Sequence, residues 1–196
     1  VAYQKEVITA LVSNSANGNC KYGVTFEIGV FDSPKPQLPT GISDLTSCDN
    51  TSVGNDVDGR IVFDLTQRTS AILKGQSANQ FLISYYKDAG FMQLIATPTA
   101  YQNTLANETI FVKIANKDNP TCETNTSFKI TVFALPIISA TASLKQCDDD
   151  IDGFSVFNLE EAIAKLTINA SNETIAFFKT LDDAQNNTNT ISNTTN

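Results

Sequence analysis

The sequence offers two chemistries, disulfide formation by its cysteines and cation binding by its clustered carboxylates. The four cysteines are Cys20, Cys48, Cys122 and Cys147. Their spacing lacks the CxxC pattern that is typical of zinc sites and redox motifs. An even number of cysteines at recurring positions indicates structural disulfides, which form and persist in oxidising compartments. The cysteines therefore predict disulfide bonding and an extracellular location.

The second chemistry is calcium binding by an acidic loop. Asp148, Asp150 and Asp152 occupy alternate positions before Gly153, a residue type that adopts positive φ without steric cost. This spacing lets one loop curl its carboxylate oxygens around a hard cation such as Ca²⁺. Because Leu159 stands at the twelfth position in place of a bidentate Glu, an ion here would bind with modest affinity. The alternative is a solvated turn, since Asp and Gly are common turn residues.

A similar loop with fewer acidic residues lies earlier in the chain. Asp56 and Asp58 precede Gly59 there, and they complete the set of predicted metal ligands. Calcium is the one ion that these loops are expected to hold, and no other cofactor is predicted.

Enzymatic activity is not predicted. The chain has no histidine, which removes the Ser-His-Asp and Cys-His nucleophile arrangements. It also has no Gly-rich phosphate loop and no G-x-S-x-G motif. The aromatic pairs Tyr85-Tyr86 and Phe177-Phe178 could stack on sugars, but neighbouring strand residues point to opposite faces. One ring of each pair is therefore expected in the core.

The charge excludes two classes of partner. A net charge of −8 argues against nucleic acid, because a phosphate backbone requires a face of Lys and Arg. The same charge argues against docking on an anionic membrane surface. No apolar run reaches membrane-spanning length, so membrane insertion is not expected.

The candidate residues recur because the chain contains an internal repeat of about 100 residues, the size of one domain. Cys20 and the strand through Phe26 and Ile28 are matched 102 positions later by Cys122, Phe128 and Ile130. Cys48 and its acidic loop are matched in the same way by Cys147 and its acidic loop. We expect the end of a preceding repeat at 1–36, a complete middle repeat at 40–135 and the front of a third repeat at 139–196. The chain is thus expected to be a window from a longer tandem array.

Period-two alternation predicts that each repeat is built of β-strands. Apolar residues alternate with polar ones along 110–114 and 128–132, and a further strand is predicted at 80–87 with a counterpart at 174–179. Short helices are predicted at 66–73 and at 158–166, where Asn158 is a typical N-cap. Pro-rich junctions separate the repeats. The predicted fold class is all-β, with tandem immunoglobulin-like or fibronectin-like antiparallel β-sandwich repeats and short helical insertions.

Two disulfide schemes are open. In the first, Cys48 bonds to Cys122 inside the middle repeat, and Cys20 and Cys147 take partners outside this sequence. In the second, Cys20 bonds to Cys48 and Cys122 bonds to Cys147, each across a Pro-containing junction. We favour the first, although spacing does not encode connectivity.

The fixed order of the motifs resembles a known repeat. The order is Cys-Asp, Asp-x-Asp-Gly, Phe-Asp-Leu-Thr, Tyr-Tyr, Tyr-x-Asn-Thr, Ile-x-Val-x-Ile and a final Cys strand that ends in Pro. It is similar to the immunoglobulin-like repeat of very large surface proteins in gliding Bacteroidetes such as flavobacteria. Those proteins usually end in a sorting domain read by the type IX secretion system. The resemblance implies export through the outer membrane and a role in adhesion or gliding.

We therefore expect a non-catalytic stalk or display segment of a large secreted cell-surface adhesin or gliding-associated protein. Its expected partners are neighbouring repeats, components of the type IX secretion system, and surface polysaccharide or protein ligands. One alternative is a carbohydrate-binding or accessory module array of a secreted hydrolase, which predicts an exposed aromatic platform. Another is a eukaryotic immunoglobulin-like receptor, which predicts glycans on the Asn-x-Ser/Thr sites.

Overall fold

The protein is β-rich. The computed structural model describes residues 4–139, 141–149 and 151–195. The chain divides after Ala134 into two compact units. The strands described are β1 Gln4–Ser13, β2 Lys21–Val30, β3 Leu45–Cys48, β4 Val62–Phe63, β5 Phe81–Tyr86, β6 Tyr101–Gln102, β7 Asn107–Asn116 and β8 Glu123–Phe133.

Helical segments are short. The α-helices are α1 Thr69–Leu73, α2 Ile163–Leu166 and α3 Leu181–Asn186. Single 3₁₀ turns lie at Pro39–Gly41, Leu65–Arg68, Ala78–Gln80, Pro98–Ala100, Leu159–Ala162 and Ala170–Asn172. None of the helices described in the chain is both long and apolar enough to cross a membrane.

The middle repeat is built on a four-stranded sheet with the order β3-β8-β7-β5. β8 pairs with β7, and β7 with β5, in antiparallel fashion, whereas β3 runs parallel to β8. The sheet is therefore mixed, which corrects the prediction of antiparallel pairing throughout. The physical reason is the point at which the chain enters the repeat. The Asp32 carbonyl accepts a hydrogen bond from the Asn116 side chain, at the end of the sheet where β8 begins. The first strand of the repeat consequently runs in the same direction as the last.

The core lies against one face of this sheet. Alternate residues along β7 and β8 are buried, as the period-two pattern predicts: Ile110, Val112, Ile114, Phe128, Ile130 and Val132. The covering layer consists of the antiparallel ribbon β4–β6 and the short helical segments, which contribute Phe63, Tyr101, Leu65 and Ile72 to the same cluster. Among the described residues, this second layer is a two-stranded ribbon with helical turns.

The N-terminal residues form a separate hairpin. β1 and β2 pair antiparallel from Gln4↔Val30 to Ser13↔Lys21, and β2 is exposed along its whole length. Phe26 is 49% exposed, whereas its counterpart Phe128 in the middle repeat is 3% exposed. The hairpin therefore presents to solvent the side chains that a complete repeat buries.

Residues 135–196 contain helical turns and little ladder pairing. Asn158 caps its helical segment by accepting a hydrogen bond from the Glu160 backbone N–H at 3.0 Å, which confirms the N-cap prediction. The strand predicted at 174–179 is not formed. Its counterpart β5 is paired with β7, whereas no strand pairs with this segment among the described residues of 135–196. A segment without a paired strand is not held extended.

Candidate functional site

Cys48 and Cys122 lie at opposite ends of β8. Cys48 is the last residue of β3 and stands opposite Phe133, the last residue of β8. Cys122 immediately precedes Glu123, the first residue of β8, and its carbonyl accepts a hydrogen bond from the Asn116 backbone N–H at 3.0 Å. The two cysteines therefore mark the two ends of the sheet.

The structure does not bring Cys48 and Cys122 together. Along an extended strand, the step from the level of Cys122 to that of Phe133 is about 36 Å at roughly 3.3 Å per residue. A disulfide requires Cα atoms closer than about 7 Å. All four cysteines are free in this structure. The favoured pairing inside the middle repeat is therefore incompatible with the register of β3 and β8.

The alternative pair Cys20 and Cys48 is also apart. Cys20 lies in the turn that joins β1 to β2, where its backbone N–H donates to the Asn17 carbonyl at 3.0 Å. The exposed β2 separates this turn from the point at which the chain enters the middle repeat. Cys147 is exposed and follows in the unit 135–196.

The acidic loop of the middle repeat is organised by Asp49, the residue after Cys48. Asp49 is only 3% exposed, and its two carboxylate oxygens accept hydrogen bonds from the backbone N–H groups of Asn50 at 2.9 Å and Gly59 at 2.7 Å. Gly59 has φ +71°, a conformation that favours glycine. The carboxylate therefore closes the loop onto the strand that carries the cysteine.

In the second acidic loop the aspartate after the cysteine again accepts a hydrogen bond from the glycine backbone N–H, but this aspartate is exposed. The Asp148 carboxylate accepts from the backbone N–H groups of Ile151 at 2.9 Å and Gly153 at 2.8 Å, and Gly153 has φ +82°. Asp152 accepts from the Phe154 N–H at 2.8 Å. The glycine of the motif adopts positive φ in both loops.

The predicted calcium ligands are thus partly engaged by the backbone. Asp58 accepts from the Arg60 N–H at 3.0 Å and from the Asn55 N–H at 3.3 Å, and Asp56 is exposed. Asp150 lies outside the described residues. Among the residues that are described, no group of three His, Cys, Asp or Glu side chains could hold a metal ion. Calcium binding by Asp56, Asp58, Asp148 and Asp152 stays a prediction.

Asn103, in the recurring Tyr-x-Asn-Thr motif, ties this loop to the rest of the repeat. Its side chain is 0% exposed, and its Oδ1 accepts from the Ile61 N–H at 2.7 Å. Its Nδ2 donates to the carbonyls of Gly59 at 2.7 Å and Leu105 at 2.8 Å. Sequence reasoning noted the motif without assigning it a role. The signal in the sequence that could have identified Asn103 was the recurrence of a polar residue between two predicted strands.

A second polar cluster surrounds Glu108. Its carboxylate accepts from the Tyr101 hydroxyl at 2.6 Å, the Thr104 hydroxyl at 2.6 Å and the Leu105 N–H at 2.7 Å. Partial burial alone would raise the pKa of Glu108, but these hydrogen bonds together outweigh burial and lower that pKa. Burial and the neighbouring Glu108 carboxylate raise the pKa of Tyr101. These hydrogen bonds stabilise a turn, and the groups that donate them are already engaged by the Glu108 carboxylate.

The Tyr85-Tyr86 pair does not form a flat exposed platform. Tyr85 is buried, with its hydroxyl 3.1 Å from the Thr69 hydroxyl. Tyr86 packs edge-on against Phe91, with ring centroids 5.4 Å apart. The sequence prediction that one ring of this pair lies in the core is confirmed.

The junction segment, residues 32–37, is attached to the middle repeat. The Asn116 Nδ2 donates to the Asp32 carbonyl at 2.9 Å, and the Thr126 hydroxyl donates to the Gln37 carbonyl at 2.7 Å. The side chain of Gln76 accepts from the Lys35 N–H at 2.6 Å. Sequence reasoning placed most of this segment with the preceding repeat and treated it as a linker. Its hydrogen bonds instead dock it beside the Cys122 end of the sheet.

Comparison with known proteins relates the chain to a protein family. A protein-family model described as the Flavobacterium inter-domain disulphide bond domain matches residues 44–136 and 143–196. No curated protein matches, and no solved structure matches. The two matched segments contain Cys48, Cys122 and Cys147.

Proposed function

Because the chain belongs to the Flavobacterium inter-domain disulphide bond domain family, we propose that it forms part of a disulfide-linked array of tandem domains on the flavobacterial cell surface. In this proposal the array is a non-catalytic stalk or display segment of a large secreted adhesin or gliding-associated protein. The family match and the four cysteines both indicate an extracellular or surface location.

One observation carries the proposal, the docking of the junction segment. A flexible linker would leave successive domains free to rotate, whereas residues 32–37 are hydrogen-bonded to the domain that follows them. Pro34 is buried in this segment, and the fixed φ of proline reduces its freedom further. A chain of domains connected in this way would keep a defined direction, as a stalk requires.

The placement of the cysteines supports the same function. Cys122 lies at the end of the middle repeat where the chain enters, and Cys48 lies at the opposite end. Cysteines at the ends of a domain, rather than face to face inside it, are placed to bond to neighbouring domains. The neighbouring repeats are therefore the first partners that we propose.

The finer identity follows the resemblance in motif order. We propose immunoglobulin-like repeats with a β-sandwich character, exported by the type IX secretion system, whose display function involves surface polysaccharide or protein ligands. The layer of β4, β6 and helical turns over the four-stranded sheet is compatible with a reduced sandwich.

The test uses the full-length protein in a flavobacterium that carries it. Intact cells are treated with a membrane-impermeant thiol reagent, with and without prior reduction. We expect labelling of this protein only after reduction, because its thiols are on the surface and bonded. Failure of the reagent to reach the protein on intact cells would overturn the surface location.

A second experiment separates display from the carbohydrate-binding alternative. Deletion of complete repeats from the full-length protein should shorten the surface filament and impair adhesion or gliding while leaving export intact. Purified repeats should show no glycan affinity. Specific glycan binding by the repeats would instead favour an accessory module of a hydrolase.

A further inference from the structure

We propose that Cys122 forms a disulfide with the cysteine that occupies the Cys48 position in the preceding repeat. This inference rests on the proposed function as an extracellular disulfide-linked array, and it specifies which cysteines are joined. Neither pairing considered from the sequence has this connectivity.

The register of the middle repeat shows where the first cysteine of a repeat lies. β3 runs parallel to β8 and places Cys48 opposite Phe133. The hairpin β1–β2 is the counterpart of β7–β8, shifted by 102 residues, so Phe31 is the counterpart of Phe133. The first strand of the preceding repeat would accordingly place its cysteine opposite Phe31.

The first strand of the preceding repeat has an edge of β2 to which it can bind. In the middle repeat β8 pairs with β7 on one side and with β3 on the other, whereas the described pairing of β2 is with β1. The edge of β2 that corresponds to the β3 side is thus open to strand addition. Ile28 is 48% exposed where its counterpart Ile130 is 0% exposed, as expected if the remainder of the preceding repeat covers this face.

The position opposite Phe31 lies close to Cys122, because both are connected to Asn116. Phe31 is followed by Asp32, whose carbonyl accepts from Asn116 Nδ2 at 2.9 Å. The backbone N–H of the same Asn116 donates to the Cys122 carbonyl at 3.0 Å. Asn116 therefore joins the end of one repeat to the cysteine of the next. The cysteine of the preceding repeat, placed opposite Phe31, would therefore lie at the same junction as Cys122.

The reaction is a thiol–disulfide exchange with an external protein disulfide as oxidant. The Cys122 thiolate attacks one sulfur of the oxidant's disulfide, and the other sulfur leaves as a thiolate. The thiolate of the preceding repeat then attacks the Cys122 sulfur and releases the second thiolate of the oxidant. The two cysteines lose two protons and two electrons, and the oxidant becomes a dithiol.

The same rule, applied one repeat further along the chain, assigns Cys48 to the Cys122 position of the third repeat, beyond Asn196. It assigns Cys147, in the third repeat, to the Cys122 position of the repeat that follows. It assigns Cys20, in the repeat before the middle one, to the Cys48 position of the repeat that precedes it. Each cysteine in this sequence would then have its partner outside the sequence.

Non-reducing peptide mapping of the full-length protein tests the rule. Surface protein is alkylated, digested with trypsin without reductant and analysed by mass spectrometry. The peptide 118–129, which contains Cys122, should be joined to the peptide that contains the Cys-Asp motif of the preceding repeat. Joining to a Cys20 or Cys147 peptide would overturn the rule and leave the disulfide-linked array intact, whereas joining to the Cys48 peptide, inside the same repeat, would overturn both.

Variants of the full-length protein provide the matched control. Cys122→Ser should leave one new free thiol, on the preceding repeat, while Cys48 and Cys147 remain protected from alkylation. Cys147→Ser should free a different cysteine and leave Cys122 protected. Alkylation of Cys122 in the unmodified protein on intact cells would overturn the rule, and an absence of any reducible bond would overturn the disulfide-linked array as well.

Discussion

Asn103 is a fully buried polar side chain that connects three parts of the middle repeat. Its hydrogen bonds reach the end of the acidic loop at Gly59, the strand region at Ile61 and the turn at Leu105. A buried polar group that loses its hydrogen-bond partner destabilises the fold by the full free energy of its desolvation. The residue therefore acts together with Asp49 to keep the loop next to Cys48 closed.

We expect Asn103→Ala to destabilise the middle repeat by about 2–4 kcal/mol, because the buried Ile61 N–H and the part-buried carbonyl hydrogen bonds of Gly59 and Leu105 would lose their partner. Denaturant unfolding monitored by circular dichroism measures the change. The matched control is Asn193→Ala at the corresponding position of the third repeat, where the side chain is exposed. Equal effects of the two substitutions would contradict the role assigned to Asn103.

The Glu108 cluster predicts a dependence of stability on acid. Because the folded state lowers the pKa of Glu108 below its ordinary value of 4.5, the carboxylate contributes stability above that value. This contribution is lost as the pH falls through the lowered pKa. Glu108→Gln should therefore be less stable than the wild type at pH 7 and show a shallower loss of stability on acidification. Glu6→Gln, on exposed β1, is the control, and parallel pH curves for wild type and Glu108→Gln would refute the prediction.

The predicted calcium binding depends on individual carboxylate groups in the acidic loop. The Asp148 and Asp152 oxygens already accept backbone N–H groups, but each carboxylate oxygen has a second lone pair. We expect millimolar calcium to raise the melting temperature modestly, in line with the weak affinities of extracellular modules. The rise should disappear in Asp152→Ala, and a melting curve that calcium and chelator leave unmoved would leave the loop as a polar turn.

At the scale of elements, the junction segment and the hairpin before it have separable effects on the middle repeat. β1 and β2 pair only with each other in the described structure, whereas residues 32–37 are bonded to Gln76, Asn116 and Thr126. The stability of the middle repeat should therefore depend on the segment and not on the hairpin.

Two truncations test this separation. A chain that begins at Phe31 should retain the unfolding midpoint of the middle repeat, because no ladder bond to that repeat is lost. A chain that begins at Leu38 should lose about 2–4 kcal/mol, since several partly buried hydrogen bonds disappear. Thermal or denaturant unfolding of the two truncated chains gives the comparison. A large loss from the first truncation would show that the hairpin itself supports the domain.

Elements were predicted well where the sequence pattern is local. Period-two alternation identified β7 and β8 together with their buried faces, and the Lys74-Gly75 end of α1 adopts the positive φ values of 49° and 85° expected of a helix terminus. Alternation gives the face of a strand but neither its partner nor its direction. The parallel pairing of β3, the separation of Cys48 from Cys122 and the contacts of Asn103 depend on residues far apart in sequence. They could not be read from spacing.

At the scale of the whole molecule, the two compact units differ in how much core they possess. The buried cluster belongs to the unit that ends at Ala134, whereas Ala162 and Thr167 are the buried residues described in 135–196. Backbone groups without a packed core above them open at low free energy.

Hydrogen exchange should therefore divide the chain at the same place. Amides of β7 and β8 should exchange slowly, at rates set by global unfolding, and amides of 135–196 should exchange orders of magnitude faster. Peptide-level exchange with mass spectrometry resolves the two classes. Slow exchange across 159–186 in the isolated chain would contradict this division.

The parallel pairing of β3 with β8 has a mechanical consequence. The chain enters the middle repeat at one end of β8 and leaves it at the other, after Phe133. Tension along the chain would draw β3 and β8 in opposite directions along their common axis. The bonds from Leu45↔Ile130 to Cys48↔Phe133 would then carry the load together, instead of opening one after another as in a peeled hairpin. An array whose cysteines are reduced would therefore resist pulling first at this short edge strand, whereas a disulfide at Cys122 would pass the tension directly into β8.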